Sequence, residues 1–307
     1  LERLGIEYAV FDEVEENPSF NSVRKAVKEY RGIGFDFVVG IGGGSPLDFA
    51  KALAILLVED VDVADLYVEG RRWRSIPVVA VPTTAGTGSE VTQLSVLTDD
   101  LGNKRGCQTV FPVLAFLDPR YVYHLSEDLM LTTGVDALCH AVEGFLSRRA
   151  TPPSDALALH AMKITFENLP KALRGVNEAR RNMLIASNLA GMVISQTGTT
   201  IAHALGYPLT TEKGVRHGAA TGMVLPFVIE VMKEENPEKV HKVNEIFGGN
   251  LLVFLESLGL YKIKVDVTED EIARWAERAM KAKHLAHTPG VFTAEKIVKI
   301  YKEALKT

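Results

Sequence analysis

Residues 35–48, FDFVVGIGGGSPLD, constrain the possible folds more than any other stretch of this 307-residue chain. Phe35–Ile41 is a near-continuous apolar run, the pattern of a strand covered on both faces, as in a parallel sheet. Gly42, Gly43 and Gly44 follow, then Ser45 and Pro46, then the helical pattern PLDFAKALAILL. Ser45 reads as an N-cap, Pro46 suits the first helical position, and Asp48 completes a capping-box-like spacing. The remainder of residues 1–124 repeats the alternation. Tyr8–Phe11 reads as a short strand and Ser19–Tyr30 as an amphipathic helix with Phe20, Val23 and Val27 on its apolar face. Pro77–Val81 is an apolar strand ending in a second Gly-rich loop. Leu94–Thr98 and Lys104–Gln108 flank DDLGN as a hairpin, and Val113–Leu117 is a last strand stopped by Asp118 and Pro119. Strand, crossover, strand means a parallel α/β sheet.

From Ser126 onward helical periodicity takes over and runs to Thr307, so a second, all-helical domain is expected. At about 150 residues per domain the length agrees with two domains. Thirty-four Lys and Arg against 39 Asp and Glu give a net charge of −5, a poor basis for holding nucleic acid or an anionic membrane surface. Apolar residues at 47% and charged residues at 24% exclude wholesale disorder. The two cysteines, Cys107 and Cys139, form neither a disulfide framework nor a zinc spacing. Reduced thiols point to a cytoplasmic protein. The longest stretch without Asp, Glu, Lys or Arg is Asn182–Thr211. Its length would suit a membrane span, but Asn188, Gln196, His203 and its Ser and Thr run favour a buried helix pair.

Two loops could hold an anion. The glycines at 42–44 let backbone approach a bulky group, and the N–H groups opening a helix favour phosphate. The run is neither G-x-G-x-x-G nor a P-loop, and a tight turn before a capped helix would look the same. Pro82–Glu90, PTTAGTGSE, adds the hydroxyls of Thr83, Thr84, Thr87 and Ser89 after another strand. Two such loops at the ends of neighbouring parallel strands would flank one crevice, which points to a nucleotide-type ligand. In the helical half, GVDALCHAVE sets Asp136 and His140 at i and i+4 on one helix face. His203 lies in an apolar stretch, and His217 stands between Arg216 and Gly218. One carboxylate and three imidazoles suit Fe, Zn, Mn or Ni. A lone buried histidine is more often a satisfied core residue, and an Asp–His pair more often a hydrogen bond, so spacing alone leaves metal binding open. His124, His160, His241, His284 and His287 sit singly in polar settings and receive no role.

Taken in order, GGGSPLDFAKA, PTTAGTGSEVT, GVDALCHAVE, TTIAHALGYPLT and RHGAATGMVLP resemble the iron-containing (group III) alcohol dehydrogenases over the whole chain. The small-alcohol and propanediol dehydrogenases are the nearest type. The resemblance implies a Rossmann-like α/β nucleotide-binding domain at 1–124, followed by an all-α metal-binding domain at 125–307, with the active site in the cleft. It implies that the α/β domain is N-terminally incomplete, because family members usually carry a further segment with the first nucleotide-binding strand. By resemblance, Asp136, His140, His203 and His217 hold the metal, with Fe2+ first and Zn2+ as alternative, and act catalytically through it. Gly42, Gly43, Gly44 and Ser45 match the pyrophosphate loop, with Asp48 nearby. Thr83, Thr84 and Thr87 match threonines beside the cofactor, Lys104 a cofactor-contacting lysine, and Asn17 an asparagine near the adenosine end. Relatives often carry a histidine, a proposed proton relay, where this chain has Tyr207. A phenol, with an ordinary pKa of about 10, relays protons less readily at neutral pH.

The activity so implied is NAD- or NADP-linked interconversion of small alcohols or diols with aldehydes or ketones, by a homo-oligomer, first of all a dimer. The alternatives are a polyol dehydrogenase or a dehydroquinate synthase-like member of the same superfamily, and a truncated chain that binds metal or nucleotide without catalysing.

Overall fold

The computed structural model describes residues 1–68 and 70–305. Strand β1 (Val38–Gly42) pairs in parallel with β2 (Val78–Pro82), and β2 pairs in parallel with β5 (Leu114–Ala115). The sheet order is β1-β2-β5, and β3 (Leu94–Thr98) and β4 (Lys104–Gln108) form a separate antiparallel hairpin. Helices α1 (Phe20–Tyr30) and α2 (Gly44–Leu56) complete this half. Phe49 through Leu56 of α2 are all buried. A helix apolar all round can only sit sandwiched, and α2 lies between the sheet and a cluster formed by Phe20, Val23 and Ala26 of α1 with Leu97 and Cys107 of the hairpin. Val27 of α1 packs against that cluster but is only partly buried.

The second half is helical: α3 (Glu127–Leu146), α4 (Pro152–Leu173), α5 (Asn177–Thr197), α6 (Ile201–Thr211), α7 (His217–Met232), α8 (Pro237–Ile246), α9 (Leu251–Ser257), α10 (Glu269–Ala279) and α11 (Ala294–Leu305). Ser126 caps α3 by accepting from the Leu129 N–H, and Thr151 caps α4 in a capping box with Ser154. Asn182–Thr211 forms the buried stretches of α5 and α6, as expected of a helix pair. Only α3, among the described residues, is long and apolar enough to cross a membrane, and 83% of that window is buried inside the fold. The expected helical run to Thr307 includes Lys306 and Thr307, which lie outside the described residues.

Four sequence expectations are corrected here. Tyr8–Phe11 is not a strand: no described strand lies beside it, and alternation without a partner edge makes no ladder. The Val10 carbonyl instead accepts from the Tyr30 hydroxyl. Second, β1 is covered on one face only. Gly40 faces α2, where an added Cβ would lie 2.9 Å from the Ala50 Cβ, whereas Val39 and Ile41 are 43% and 60% exposed. An apolar run reports what a strand would bury, not how many layers are present to bury it. Third, the strand expected at Val113–Leu117 shortens to the two residues that find a register on β2. Fourth, Gly43 rather than Ser45 is the N-cap of α2. The Ser45 hydroxyl accepts from the Asn17 N–H, and the Asp48 carboxylate turns away from the helix start.

Candidate metal centre and nucleotide crevice

Helix α3 presents Asp136, His140 and Glu143 on one buried face, because residues three and four apart stand above one another. His203 comes from the first turn of α6, and His217 is the first residue of α7. Asp136 Oδ1 lies 3.9 Å from Nε2 of both His140 and His203, and those two nitrogens are 3.1 Å apart. Ligand atoms of Asp136, His203 and His217 all fall within 4.8 Å of one another. His140 lies outside that triplet but adjoins two of its members. Gly218 brings α7 close enough for this: a Cβ there would lie 2.0 Å from the Thr132 carbonyl oxygen and 2.7 Å from the Asp136 Cβ.

The ring orientations are set by groups outside the cluster. The His140 Nδ1–H donates to the Gly86 carbonyl at 3.3 Å. The His203 Nδ1–H donates to Glu143 in a short contact. Glu143 Oε1 also accepts from the Thr200 hydroxyl at 2.6 Å, the Thr200 N–H at 2.9 Å and the His203 N–H at 3.3 Å. It therefore caps α6, whose own N-cap, Thr200, makes no side-chain cap. With both Nδ1 positions committed, the Nε2 lone pairs of His140 and His203 converge beside a carboxylate. Such an arrangement requires a cation, or failing that a proton, between them. Asp136 Oδ1 and His217 Nδ1 are buried without a protein hydrogen-bond partner. The donor set fits a divalent transition metal.

Electrostatics agree. Burial opposes charge on Asp136, but His140, His217, His203 and Lys104 outweigh it and hold the carboxyl below its usual range. Burial pushes His217 down to about 3 and lowers His140, with Asp136 opposing in both cases. His203 is raised, because Glu143 outweighs the burial that would lower it. Burial pushes the Tyr207 phenol up to about 12, and its ring stacks on His217 at 5.7 Å.

The two Gly-rich loops meet as the parallel register demands. Gly42 pairs with Pro82, and the Thr83 N–H donates to the Gly42 carbonyl at 2.8 Å. A Cβ at Gly43 would lie 3.3 Å from Thr84, and one at Gly44 would lie 2.7 Å from Thr87. The glycines thus let the threonine loop seat against the start of α2, whose first turn has no side-chain cap and keeps N–H groups for an anion. Asn17, at φ 58, is held at this rim by Ser45 and by the Thr98 hydroxyl, which donates to its carbonyl at 2.9 Å. Lys104 opens β4, partly buried, and burial lowers its pKa against the pull of Asp136, Glu16 and Asp48. Asp48 is engaged internally: it accepts from Ser89 at 2.5 Å and the Val96 N–H at 2.9 Å, and pairs with buried Lys51 at 3.0 Å.

One loop touches both sites. Residues 83–90 carry the threonines, supply the Gly86 carbonyl to His140, and end on Glu90, which accepts from Asn188 of α5 at 2.9 Å. Gly88, at φ 61, packs so closely on Gly191 that a Cβ would lie 2.4 Å from its Cα.

Sequence reasoning missed Glu143, although its place three residues after His140 on the same helix was the available signal. It also missed His284. In sequence that histidine stands singly in a polar setting, but the 3-10 turn Lys283–His287 folds back over α6 and sets its ring 6.0 Å from Tyr207. Burial pushes its pKa down to about 4. No local pattern in KAKHLAHTPG signals that contact.

A parallel α/β layer with an uncapped helix start, followed by a helical layer with a buried carboxylate–imidazole cluster, defines the class: a two-domain α/β and all-α protein with a candidate metal site. The profile of the iron-containing alcohol dehydrogenases matches residues 1–119, and that of the Fe-containing alcohol dehydrogenase family, C-terminal, matches residues 130–305. The chain belongs to the iron-containing alcohol dehydrogenase family. It is 65% identical, with a TM-score of 0.96, to the crystal structure of an iron-containing alcohol dehydrogenase from Thermotoga maritima, over 100% of this chain and 85% of that one. A sulfoacetaldehyde reductase from Bifidobacterium kashiwanohense, solved in complex with NAD+, is 32% identical with a TM-score of 0.88, over 98% of this chain and 84% of that one. The 1,3-propanediol dehydrogenase of Klebsiella pneumoniae is 36% identical over 82% of this chain. The chain spans 66% of that relative's length, and about two thirds of the length of several curated relatives.

Proposed function

We propose that this protein is a metal-dependent, NAD- or NADP-linked dehydrogenase that interconverts small alcohols or diols with aldehydes or ketones. The observation that carries the reading is the convergence of the His140 and His203 Nε2 atoms on buried, unpartnered Asp136 Oδ1. In this reading Asp136, His140, His203 and His217 hold the ion, Fe2+ first and Zn2+ as the alternative. When bound, the ion supplies Lewis acidity at the substrate oxygen, and the nicotinamide gives or takes the hydride. One carboxylate against a divalent ion leaves the site net positive, which favours negative charge on that oxygen. Glu143 and the Gly86 carbonyl keep the His203 and His140 rings turned inward. Gly42, Gly43, Gly44 and Ser45 offer the helix start to the pyrophosphate, with Thr83, Thr84 and Thr87 alongside, Lys104 between the two sites and Asn17 at the adenosine end. Asp48 supports this rim through Ser89 and Lys51 rather than through a free carboxylate. Tyr207 keeps its proton at neutral pH and serves as a hydrogen-bond donor.

The domain division at 1–124 and 125–307 belongs to the same reading, with β5 on one side and α3 on the other. So do a cytoplasmic setting and a homo-oligomer, first of all a dimer. The bare apolar strip of Val39 and Ile41 supports cover by further protein surface, and sedimentation tests it. The deciding experiment follows reduced nicotinamide in anaerobic, Fe(II)-loaded protein given short alcohols and diols with NAD or NADP. Metal-dependent turnover of either cofactor is the expected result. Stoichiometric metal with no turnover of any alcohol would instead favour a non-redox relative or a catalytically silent chain.

A further inference from the structure

A lysine is almost never fully buried unless its charge is paired, yet Lys51 of α2 is 0% exposed. Oxygens surround its Nζ on all sides. Asp48 Oδ1 lies at 3.0 Å, the Ser89 hydroxyl at 2.7 Å and the Ser89 carbonyl at 3.1 Å. The Thr92 carbonyl lies at 3.3 Å, the Thr92 hydroxyl at 3.5 Å, and the Leu94 carbonyl makes a short contact. These oxygens outnumber the N–H groups of an ammonium, so Lys51 serves them as a compact cation in an oxygen cage. Apart from Asp48, every partner belongs to the segment that leaves the threonine loop and enters β3.

Apolar packing already joins α2 to the hairpin, through Phe49, Ala52, Leu53 and Leu97. That attraction is non-directional, and the small side chains of Ala50, Ala52 and Ala54 give it little relief to fix where α2 sits along the loop. The cage fixes it. Asp48 extends the same clamp: it accepts from the Ser89 hydroxyl at 2.5 Å and the Val96 N–H at 2.9 Å, and its carbonyl accepts from the Ser95 hydroxyl at 2.8 Å. Nearer the helix start, Gly44 stands against Thr87. The loop has a separate hold on the helical half, through Gly88 against Gly191 and Glu90 with Asn188. The two anchors therefore divide the work. The one on α5 keeps the Gly86 carbonyl on His140, and the one at Lys51 keeps α2 on the loop.

We infer that Lys51 is a positioning residue for the nucleotide: its caged ammonium holds the start of α2 at the spacing from Thr83, Thr84 and Thr87 that the cofactor's phosphates require. Being fully buried, it acts through α2 and not on the nucleotide itself. The inference rests on the dehydrogenase reading and deepens its nucleotide half. Removing the cation leaves the Asp48 carboxylate and the cage carbonyls without their shared partner, which drives the loop and the helix apart.

The test measures NAD and NADP affinity by calorimetry, Zn2+ affinity by chelator competition, and alcohol kinetics, in the wild type, Lys51→Met and Lys51→Gln. Lys51→Met keeps the length of the stem without the charge. It raises the nucleotide Kd and KM by about tenfold or more, while kcat at saturating nucleotide and Zn2+ affinity stay within about twofold, the pattern of lost uniform binding. Lys51→Gln, which still donates N–H groups to the cage, recovers part of the loss. Should Lys51→Met not fold, Lys51→Gln must show the same split at about threefold or more. A lysine that only supports the fold would lower the folded fraction and leave nucleotide affinity and the split between KM and kcat unmoved. Unchanged nucleotide affinity, equal losses of nucleotide and metal, or failure of both variants to fold would each overturn the proposal. If the wild type binds neither NAD nor NADP, the dehydrogenase reading fails separately, and hydrogen exchange decides the clamp. Lys51→Met then speeds exchange by about tenfold within residues 83–94 while α5 keeps its protection. A uniform change, or none, refutes it.

Discussion

Two carboxylates share the buried face of α3 and do different work. Asp136 has an oxygen with no protein partner, whereas both oxygens of Glu143 are engaged by His203 and Thr200. Replacing Asp136 by Asn should therefore abolish stoichiometric metal binding while the helix bundle survives, as read by metal analysis alongside circular dichroism. A variant that kept its metal would remove Asp136 from the ligand set. Glu143→Gln retains the shape but loses the charge that orients His203. Metal affinity should fall by about 10–100-fold, with little change in kcat per loaded site. Chelator competition measures this, and wild-type affinity would mean that Glu143 only caps α6.

At the scale of elements, the loop 83–90 joins the two proposed sites, because it bears Thr83, Thr84 and Thr87, proposed to flank the cofactor, and carries the carbonyl that orients His140. Its anchorage on α5 depends on Gly88 and Gly191, where neither residue has room for a Cβ. Gly88→Ala should cost about 1–3 kcal/mol in overpacking, with more added by the left-handed backbone at that position. Affinity for metal and for nucleotide should weaken together. Separate titrations check this, and loss of only one would show that the loop does not join them. Ser45→Ala is the contrasting case. It leaves the Asn17 N–H without its acceptor, should cost about 1 kcal/mol, and should leave metal affinity alone.

For the whole molecule, the buried histidines make stability depend on pH. His217 has a folded pKa of about 3 and His284 of about 4, against an ordinary value of 6.5. Between 6.5 and those values the unfolded chain binds protons that the folded chain refuses, so stability falls as pH falls. His203, raised by Glu143, runs the other way: its contribution is present below 6.5 and is lost as pH rises through its folded pKa. The metal-free protein should therefore lose urea resistance between pH 6.5 and 4, and His284→Phe should flatten that slope. A midpoint constant over the interval would contradict the burial of these rings. Metal removal at neutral pH should lower Tm, because an ion held only by the folded state stabilises it by mass action.

Much of this was legible along the chain. The hairpin at Leu94–Thr98 and Lys104–Gln108, the amphipathic α1, and the helical second half all follow from local periodicity. These are properties of residues near one another in sequence, and backbone hydrogen bonding and apolar spacing act at that range. The Asp136–His140 pair was legible for the same reason. Tertiary structure decided what lies across gaps. It put Glu143 under the start of α6, pressed Gly88 on Gly191, and folded the 283–287 turn over Tyr207. It also left one face of β1 bare, although its apolar run had suggested two covered faces. Whether a polar atom is paired, or an apolar face covered, depends on which distant surface arrives beside it, and no local pattern carries that information.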